Sequence, residues 1–477
     1  MPAAIAVNGV AVGGTTNQFL RYEFSLAAAA AAGVKLSGSN ELAVTFDPAV
    51  QTTEGRFMAC SGGWDWVSFA RNPARTQTPC AMNRRNPLTP PPHTHIPLNT
   101  LTKQAPYSTT TSMGWGATGP MPTRSLTKGI WKSVYTVTVP AAAITHLVPH
   151  VFYQGAFPTA PLTDDSNGGF AVKVRVHLWA PAATTATVSV AGAWAGAAAS
   201  SGPLAVPAGD SNVTLSLSAP PGAVKLWWPA GLGAQPLYAV NATVTAGGAV
   251  AALAERRVGF RYVVYATGND TNPEWVAANA GGDGNAEPQG LLVRANGAPL
   301  AIFGANMIPV DNFEGRYSAE AVARLVASAA EARMNILRVW GGGVYQSPAF
   351  YDACDELGVL VLHDIQYAQN GHSPKDGSPS HRAEIQHQMR RLSHHASIAV
   401  IDGCNECHVI LNTSTGVYAT FVMQTVVDED QSRVAWPSCP SNGWVAGVDV
   451  RLARPPQTST SARRRPNNAS PQAAHHA

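Results

Sequence analysis

The sequence predicts a multidomain protein of β plus α/β class, two β-sandwiches followed by an incomplete (β/α)8 TIM barrel, and three observations predict it. The chain has 477 residues, more than one hydrophobic core organises. Its 45% hydrophobic and 13% charged residues are those of a globular protein, and 43 glycines with 36 prolines favour turns over long helices. The apolar period is two as far as about Tyr265, and after about Gly290 strands alternate with helical segments.

Residues 1–140 read as the first sandwich. Short alternating strands are expected at Ala4 to Val7, Leu20 to Phe24, Glu41 to Phe46 and Trp131 to Val139, with turn residues between them. Arg71 to Thr127 is rich in Pro, Thr and Asn and reads as a long loop. Residues 141–265 fit an immunoglobulin-like sandwich, with its clearest strands at Phe170 to Trp179, Thr185 to Val190, Val213 to Ser218 and Tyr238 to Thr245.

Residues 266–450 change character. Leu300 to Phe303 reads as a strand, and Ser318 caps a helix in which Val322, Leu325, Val326 and Ala329 recur at helical spacing. Ile336 to Trp340 is the next strand. Ser347 and Pro348 open a helix that Gly358 closes, Val359 to His363 is a third strand, and a helix from about Arg382 to Leu392 leads to a fourth at Ile398 to Cys404. Arg433 to Trp436 begins a fifth. Strand and helix at this cadence require a parallel sheet, which a (β/α)8 barrel commonly closes, yet only four or five units are present. Residues 451–477 are a low-complexity, disordered tail, RPPQTSTSARRRPNNASPQAAHHA from Arg454, that buries no core.

Charge and cysteine usage narrow the function classes. The formal charge of +3 belongs to the tail, because Arg451, Arg454, Arg463, Arg464 and Arg465 follow the last acidic residue; without them the body is about −2. No nucleic-acid partner is expected. Six cysteines in so long a chain make no disulfide framework, and the pair Cys404 and Cys407, followed by His408, lacks the second ligand pair that zinc needs and reads as two incidental thiols. The N-terminus has no charged start and apolar run, and no stretch is long enough to span a bilayer, so a soluble protein without a membrane partner is expected. Sequons at Asn212, Asn241, Asn269, Asn412 and Asn468 suit a secretory or lysosomal protein.

In a barrel the chemistry sits at the C-terminal ends of the strands. The four expected strands end in Gly304 to Asn306, in Arg338, Trp340 and Gly341 to Gly343, in His363 and Asp364, and in Asn405 and Glu406. Such a polar and aromatic mixture suits a sugar, whose apolar faces stack on rings while its hydroxyls need donors and acceptors. Position alone leaves Glu406 two readings: a proton donor raised in pKa by a partly desolvated pocket, or a carboxylate paired with Arg338 or Arg391. His394 and His395 read as the surface end of a helix, and His363 with Asp364 as a supporting hydrogen bond.

Several long segments add a resemblance. GANMIPVDNF, NILRVWGGGVY, FYDACDELGVLVLHD and RRLSHHASIAVIDGCNE, with CSGGWDW, LTKGIWKSVY and LWWPAGLGAQPLY upstream, resemble glycoside hydrolase family 2 and particularly its β-mannosidase branch, from Asn8 to about Gly443. The resemblance implies a jelly-roll-like, galactose-binding-like first domain and a retaining glycosidase that removes terminal β-D-mannose by double displacement. Glu406 would be its general acid/base and Asn405 the contact to the sugar 2-hydroxyl. Trp340 would line the site, Trp64 and Asp65 would reach into the mannose pocket, and Arg338 would support the nucleophile. Glu406 and its partner would act on a β-mannoside or oligosaccharide substrate with no cofactor and no metal, because two carboxyl groups suffice. The family's nucleophile, a Glu ending the seventh strand, has no counterpart, since Glu429 in DEDQSR is the only glutamate after Glu406. The chain is therefore expected to be clipped at both ends and inactive alone. Two alternatives stand beside it: a noncatalytic carbohydrate-binding remnant, and an exo-β-glucosaminidase or β-galactosidase of the same family.

Overall fold

The computed structural model describes residues 3–33, 38–46, 130, 132–267, 291–311, 316, 318–368, 377–405 and 418–436. Strands β1 (Ala3–Val7) and β2 (Val10–Thr15) form a hairpin because Asn8 and Gly9 both take positive φ, 47° and 80°, a two-residue turn whose twist matches its strands. After the short helix α1 (Ala27–Ala31), β3 (Leu42–Phe46) pairs with the other side of β1. Two expected strands are absent. Leu20 to Phe24 stays irregular because its polar groups turn on their neighbours: the Tyr22 hydroxyl accepts from the backbone N–H of Thr16 at 2.9 Å and of Asn17 at 2.7 Å. The described part of Trp131 to Val139 joins no ladder and leaves Val134, Tyr135 and Val137 59%, 70% and 66% exposed. Alternation without a pairing partner makes no strand.

Seven long antiparallel strands follow: β4 (Ala143–Tyr153), β5 (Phe170–Ala180), β6 (Thr184–Gly192), β7 (Ala198–Val206), β8 (Gly209–Ala219), β9 (Tyr238–Ala246) and β10 (Ala249–Val258). They make two sheets, β4-β5-β8 and β10-β9-β6-β7. Alternation builds the core between them. Val172, Val174 and Val176 point inward from β5 to share one cluster with Val188 and Val190 of β6 and Val240 and Val244 of β9, while Lys173 and Arg175 face away. Each such valine contributes about 1.5–3 kcal/mol by leaving water.

A small antiparallel sheet joins this sandwich to the rest: β11 (Val263–Thr267), β12 (Leu291–Ala295) and β13 (Ala298–Leu300). Asn296 and Gly297, at φ 48° and 81°, set the second hairpin. The expected strand at Leu300 to Phe303 is thereby corrected. Leu300 belongs to the hairpin, residues 301–303 are tied to the Asn335 side chain, and the first parallel strand is β14 (Gly304–Met307), made of the residues expected at its end.

Four crossovers complete the α/β part, with α2 (Ala319–Glu331), β15 (Ile336–Val339), α3 (Pro348–Leu357), β16 (Leu360–Asp364), α4 (Pro379–Leu392), β17 (Ile398–Asp402), a π-helical turn at Tyr418–Met423, α5 (Gln424–Glu429) and β18 (Val434–Trp436). The five strands are parallel and lie in chain order, β14-β15-β16-β17-β18. Ser318 caps α2 by accepting from the Ala321 N–H, and Gly358 ends α3 at φ 73°, a left-handed position glycine takes without strain. Phe350 and Tyr351 of α3 and Ile385 and Met389 of α4 bury against Val339 and Val361.

The sandwich docks firmly on this sheet. Trp227 is 0% exposed and donates its indole N–H to the Asp355 carbonyl at 2.8 Å, and Arg261 donates to the Ile398 carbonyl at 2.7 Å. From the other side, Asn17 donates to Glu384 of α4 at 2.6 Å, which also accepts from the Tyr345 hydroxyl.

Candidate active site at the ends of the parallel strands

Parallel pairing puts the last residues of neighbouring strands side by side, and here they converge on Arg338. Its guanidinium meets both oxygens of Asp364, Nε to Oδ1 at 3.1 Å and Nη2 to Oδ2 at 2.7 Å. Nη2 also donates to Asn405 Oδ1 at 2.9 Å, and Nη1 to Asn306 Oδ1 at 3.3 Å. Three strands and the segment after β17 are thus held by one rigid fork, the geometry for which arginine is suited. Asp364 is 0% exposed and accepts a third bond from the Gly341 N–H at 2.9 Å, whereas the Arg338 side chain keeps 18% of its surface.

The orientation of Asn405 follows. Its carbonyl oxygen accepts from Arg338, which turns the amide nitrogen away from the guanidinium, and its backbone N–H is fixed to the Tyr367 carbonyl at 2.9 Å. Trp340 lies half-buried just past β15, with its backbone N–H on the Met307 carbonyl. The adjacent glycine run packs closely against the protein itself. A Cβ on Gly341 would lie 2.2 Å from the Tyr367 carbonyl oxygen, and one on Gly342 would lie 2.3 Å from the Trp340 ring.

Arg338, Asn405 and Trp340 are thus brought to one end of the sheet, while Glu406, Trp64 and Asp65 lie outside the described residues. Glu429 is elsewhere: at the end of α5 it is clamped by Arg390 at 2.6 and 2.9 Å, with Arg175 at 3.5 Å. His363 is wall, not chemistry. Burial pushes its imidazole down to about 3, so it is neutral, bonded to the Tyr351 hydroxyl at 2.7 Å and the Asp364 carbonyl at 2.8 Å.

Two sequence expectations change here, and one residue comes to light. His394 and His395 do not finish a helix surface: His395 is buried with its Nδ1 on Asp355 at 2.7 Å, and His394 stacks 4.0 Å from it, because Trp227 and Arg261 of the sandwich cover this corner. Cys404 is disulfide-bonded and so is not an incidental thiol. Asp402 was overlooked. It sits beside Asp364 across β16 and β17, and nothing in IAVID distinguishes it from any polar residue ending a strand. Burial lifts the Asp364 carboxyl to about 6 against the pull of Arg338, and lifts Asp402 well above its usual range, with the neighbouring Asp364 charge adding to the rise.

Among the described residues, Asp352, Asp355 and His395 form one group with metal-ligand spacing. Its charge is already answered from outside, since Arg257 pairs with Asp352 at 3.3 Å and Asp355 accepts from His395 and the Ser397 N–H. No described helix is long and apolar enough to cross a membrane.

The comparisons with known proteins agree with this arrangement. Residues 154–261, which contain β5 to β10, match the model for Glycosyl hydrolases family 2. The β-mannosidase of Rattus norvegicus is 27% identical over 479 residues, 96% of this chain and 48% of that protein. The β-mannosidase A of Aspergillus terreus is 36% identical over 190 residues, 39% of this chain and 20% of that protein. In fold, the crystal structure of a β-D-mannosidase from Dictyoglomus thermophilum superposes with a TM-score of 0.63 at 21% identity, covering 92% of this chain and 47% of its own. That of an exo-chitosanase from Amycolatopsis orientalis gives 0.56 at 18% identity, covering 94% and 43%. This chain therefore spans about half the length of the rat relative, or less in the others. By the matched model over residues 154–261, and by a relative whose similarity runs through sandwich and parallel sheet alike, the chain is similar to members of glycoside hydrolase family 2.

Proposed function

We propose that this chain carries the acid/base half of a retaining β-mannosidase site, acting on terminal, non-reducing β-D-mannose by double displacement. In this reading the seven-stranded sandwich is immunoglobulin-like, residues 1–140 are a sugar-binding sandwich, and the five parallel strands are part of a (β/α)8 barrel whose strand ends face the substrate. The observation that carries it is the Arg338 fork: it ties Asn405, the residue before Glu406, to Asp364 and Asn306 at one end of the parallel sheet, where strand ends meet a substrate. Glu406 gives a proton to the departing oxygen and later takes one from water. Trp340 offers an apolar face to the ring, and Trp64 and Asp65 select mannose. Among charged partners Arg338 is committed to Asp364, so the alternative pairing of Glu406 with Arg338 has a competitor already in place.

Retention needs a second carboxylate about 5–5.5 Å from the first. Glu429, the sole later glutamate, is held by Arg390 and Arg175 on the helical side of the sheet, so this polypeptide by itself is expected to hydrolyse β-mannosides negligibly. Transcript sequence downstream of Gly443 tests the reading: an in-frame continuation with a glutamate-bearing seventh strand supports it. A stop without one favours a noncatalytic remnant. A panel of aryl β-mannoside, β-glucosaminide and β-galactoside on the continued chain then identifies the sugar, and preference for either of the latter two would overturn the mannose assignment.

A further inference from the structure

Two buried carboxyl groups at the strand ends share one guanidinium, and they are served very unequally. Asp364 takes both Arg338 bonds and the Gly341 N–H, three donors for two oxygens. Asp402, in register with it on the next strand, receives among the described residues only the Cys404 N–H on Oδ1 at 3.2 Å, and its Oδ2 is buried with no hydrogen-bond partner among them. Its other neighbour, β18, presents Trp436 in register with it and no charge. Among the described residues, the charged groups it faces are Asp364 from β16 and Arg338 from β15.

A carboxylate so placed would be a second buried negative charge beside one cation, a costly state unless a partner is found. The partner within reach is Arg338, and drawing it over would loosen its hold on Asn405. A neutral acid escapes both problems, as one member of a close carboxyl pair commonly does. We infer that Asp402 is a neutral carboxylic acid at physiological pH and acts as a positioning residue, leaving the Arg338 bonds to Asp364 and Asn405 in place. Its bearing on sugar binding rests on the reading of Asn405 given above, whereas its protonation does not.

The test needs no substrate. In the full chain labelled with 13C at aspartate carboxyl groups, one aspartate is expected to keep the acid-form chemical shift at about pH 7, and that signal is expected to vanish in Asp402→Asn. In Asp364→Asn, Arg338 loses that counter-charge and Asp402 is the buried acid beside it among the described residues, so the acid-form signal is expected to convert to carboxylate. Stability supplies a second readout. A folded Asp402 that keeps its proton while the unfolded chain has released it loses stability as pH rises above about 4, so the urea midpoint of Asp402→Asn gains on the parent from about pH 4 to about pH 7. Absence of any acid-form aspartate at about pH 7 in the parent chain would overturn the inference. So would an acid-form signal that persists unchanged in Asp364→Asn, or a midpoint for Asp402→Asn that falls behind the parent as pH rises. Failure of the chain to bind or cleave a mannoside counts against the glycosidase reading alone.

Discussion

Three histidines make the joint between sandwich and parallel sheet acid-sensitive, and the size of the effect follows from their burial. His146 of β4, His177 of β5 and His387 of α4 meet where these elements pack: His146 Nε2 lies 3.1 Å from His387 Nδ1, and the rings of His146 and His177 are 5.8 Å apart, nearly perpendicular. Burial pulls them down to about 3, about 3 and about 2, and Arg21, Arg175, Arg256, Arg390, Arg391 and Lys132 add positive charge from every side. The folded protein thus keeps them neutral while the unfolded chain binds protons below the ordinary value of 6.5, so stability falls as pH drops through 6.5 toward 3. At about pH 5 each costs about 2 kcal/mol, from one and a half pH units at 1.36 kcal/mol each, or about 6 kcal/mol together. His146→Gln keeps a polar side chain that takes up no proton. Urea unfolding at about pH 7.5 and about pH 5, followed by tryptophan fluorescence, should show the parent losing about 2 kcal/mol more than the variant on acidification, roughly 1 M in midpoint for a slope of about 2 kcal/mol/M. Equal losses in the two proteins would refute the reasoning.

Two further perturbations probe the same architecture. Arg433→Met leaves Asp430 as a buried charge without its arginine, which sits 2.7 Å away with both side chains at 5% exposure or less; a loss of about 3–5 kcal/mol is expected in thermal or urea unfolding. Gly358→Ala places a Cβ 2.6 Å from the Ala230 N and forces φ 73° on a residue with a side chain. A loss of at least about 1–2 kcal/mol is expected, with faster proteolysis of the docked Trp227 corner, and a melting temperature equal to the parent's would contradict it.

How much of this was legible in the sequence depended on whether the signal was local. The Ser318 cap, the Ser347-Pro348 start and the Gly358 stop are local chemistry, and the helices begin and end there within a few residues. The valine alternation of β5 is equally local. Strand edges were harder. Leu20 to Phe24 alternates well enough, yet the Tyr22 hydroxyl captures two backbone N–H groups and no partner strand comes alongside, a tertiary outcome that five residues do not encode. Val10–Thr15 forms a strand despite two glycines because the Asn8-Gly9 turn delivers it to β1. At the site, Arg338 and Asn405 were named from their motifs, but that one guanidinium links them required the register of β15, β16 and β17. Asp402 was invisible for the same reason: its importance lies in standing next to Asp364, 38 positions away by the pairing Asp364 with Asp402, with its Oδ2 unpartnered among the described residues. His394 and His395 looked exposed because the covering side chains, Trp227 and Arg261, come from a distant part of the chain.

The central claim is that the end of β17 delivers the proton donor of a β-mannosidase. Its most direct measurement is turnover of an aryl β-mannoside with a poor leaving group by the chain continued through a glutamate-bearing seventh strand, in parallel with Glu406→Gln and Glu429→Gln. Loss of a general acid should lower the rate by about 10²–10⁴-fold in Glu406→Gln, with Glu429→Gln retaining turnover. Full activity in Glu406→Gln, or turnover that depends on Glu429 for catalysis while the fold stays intact, would contradict it.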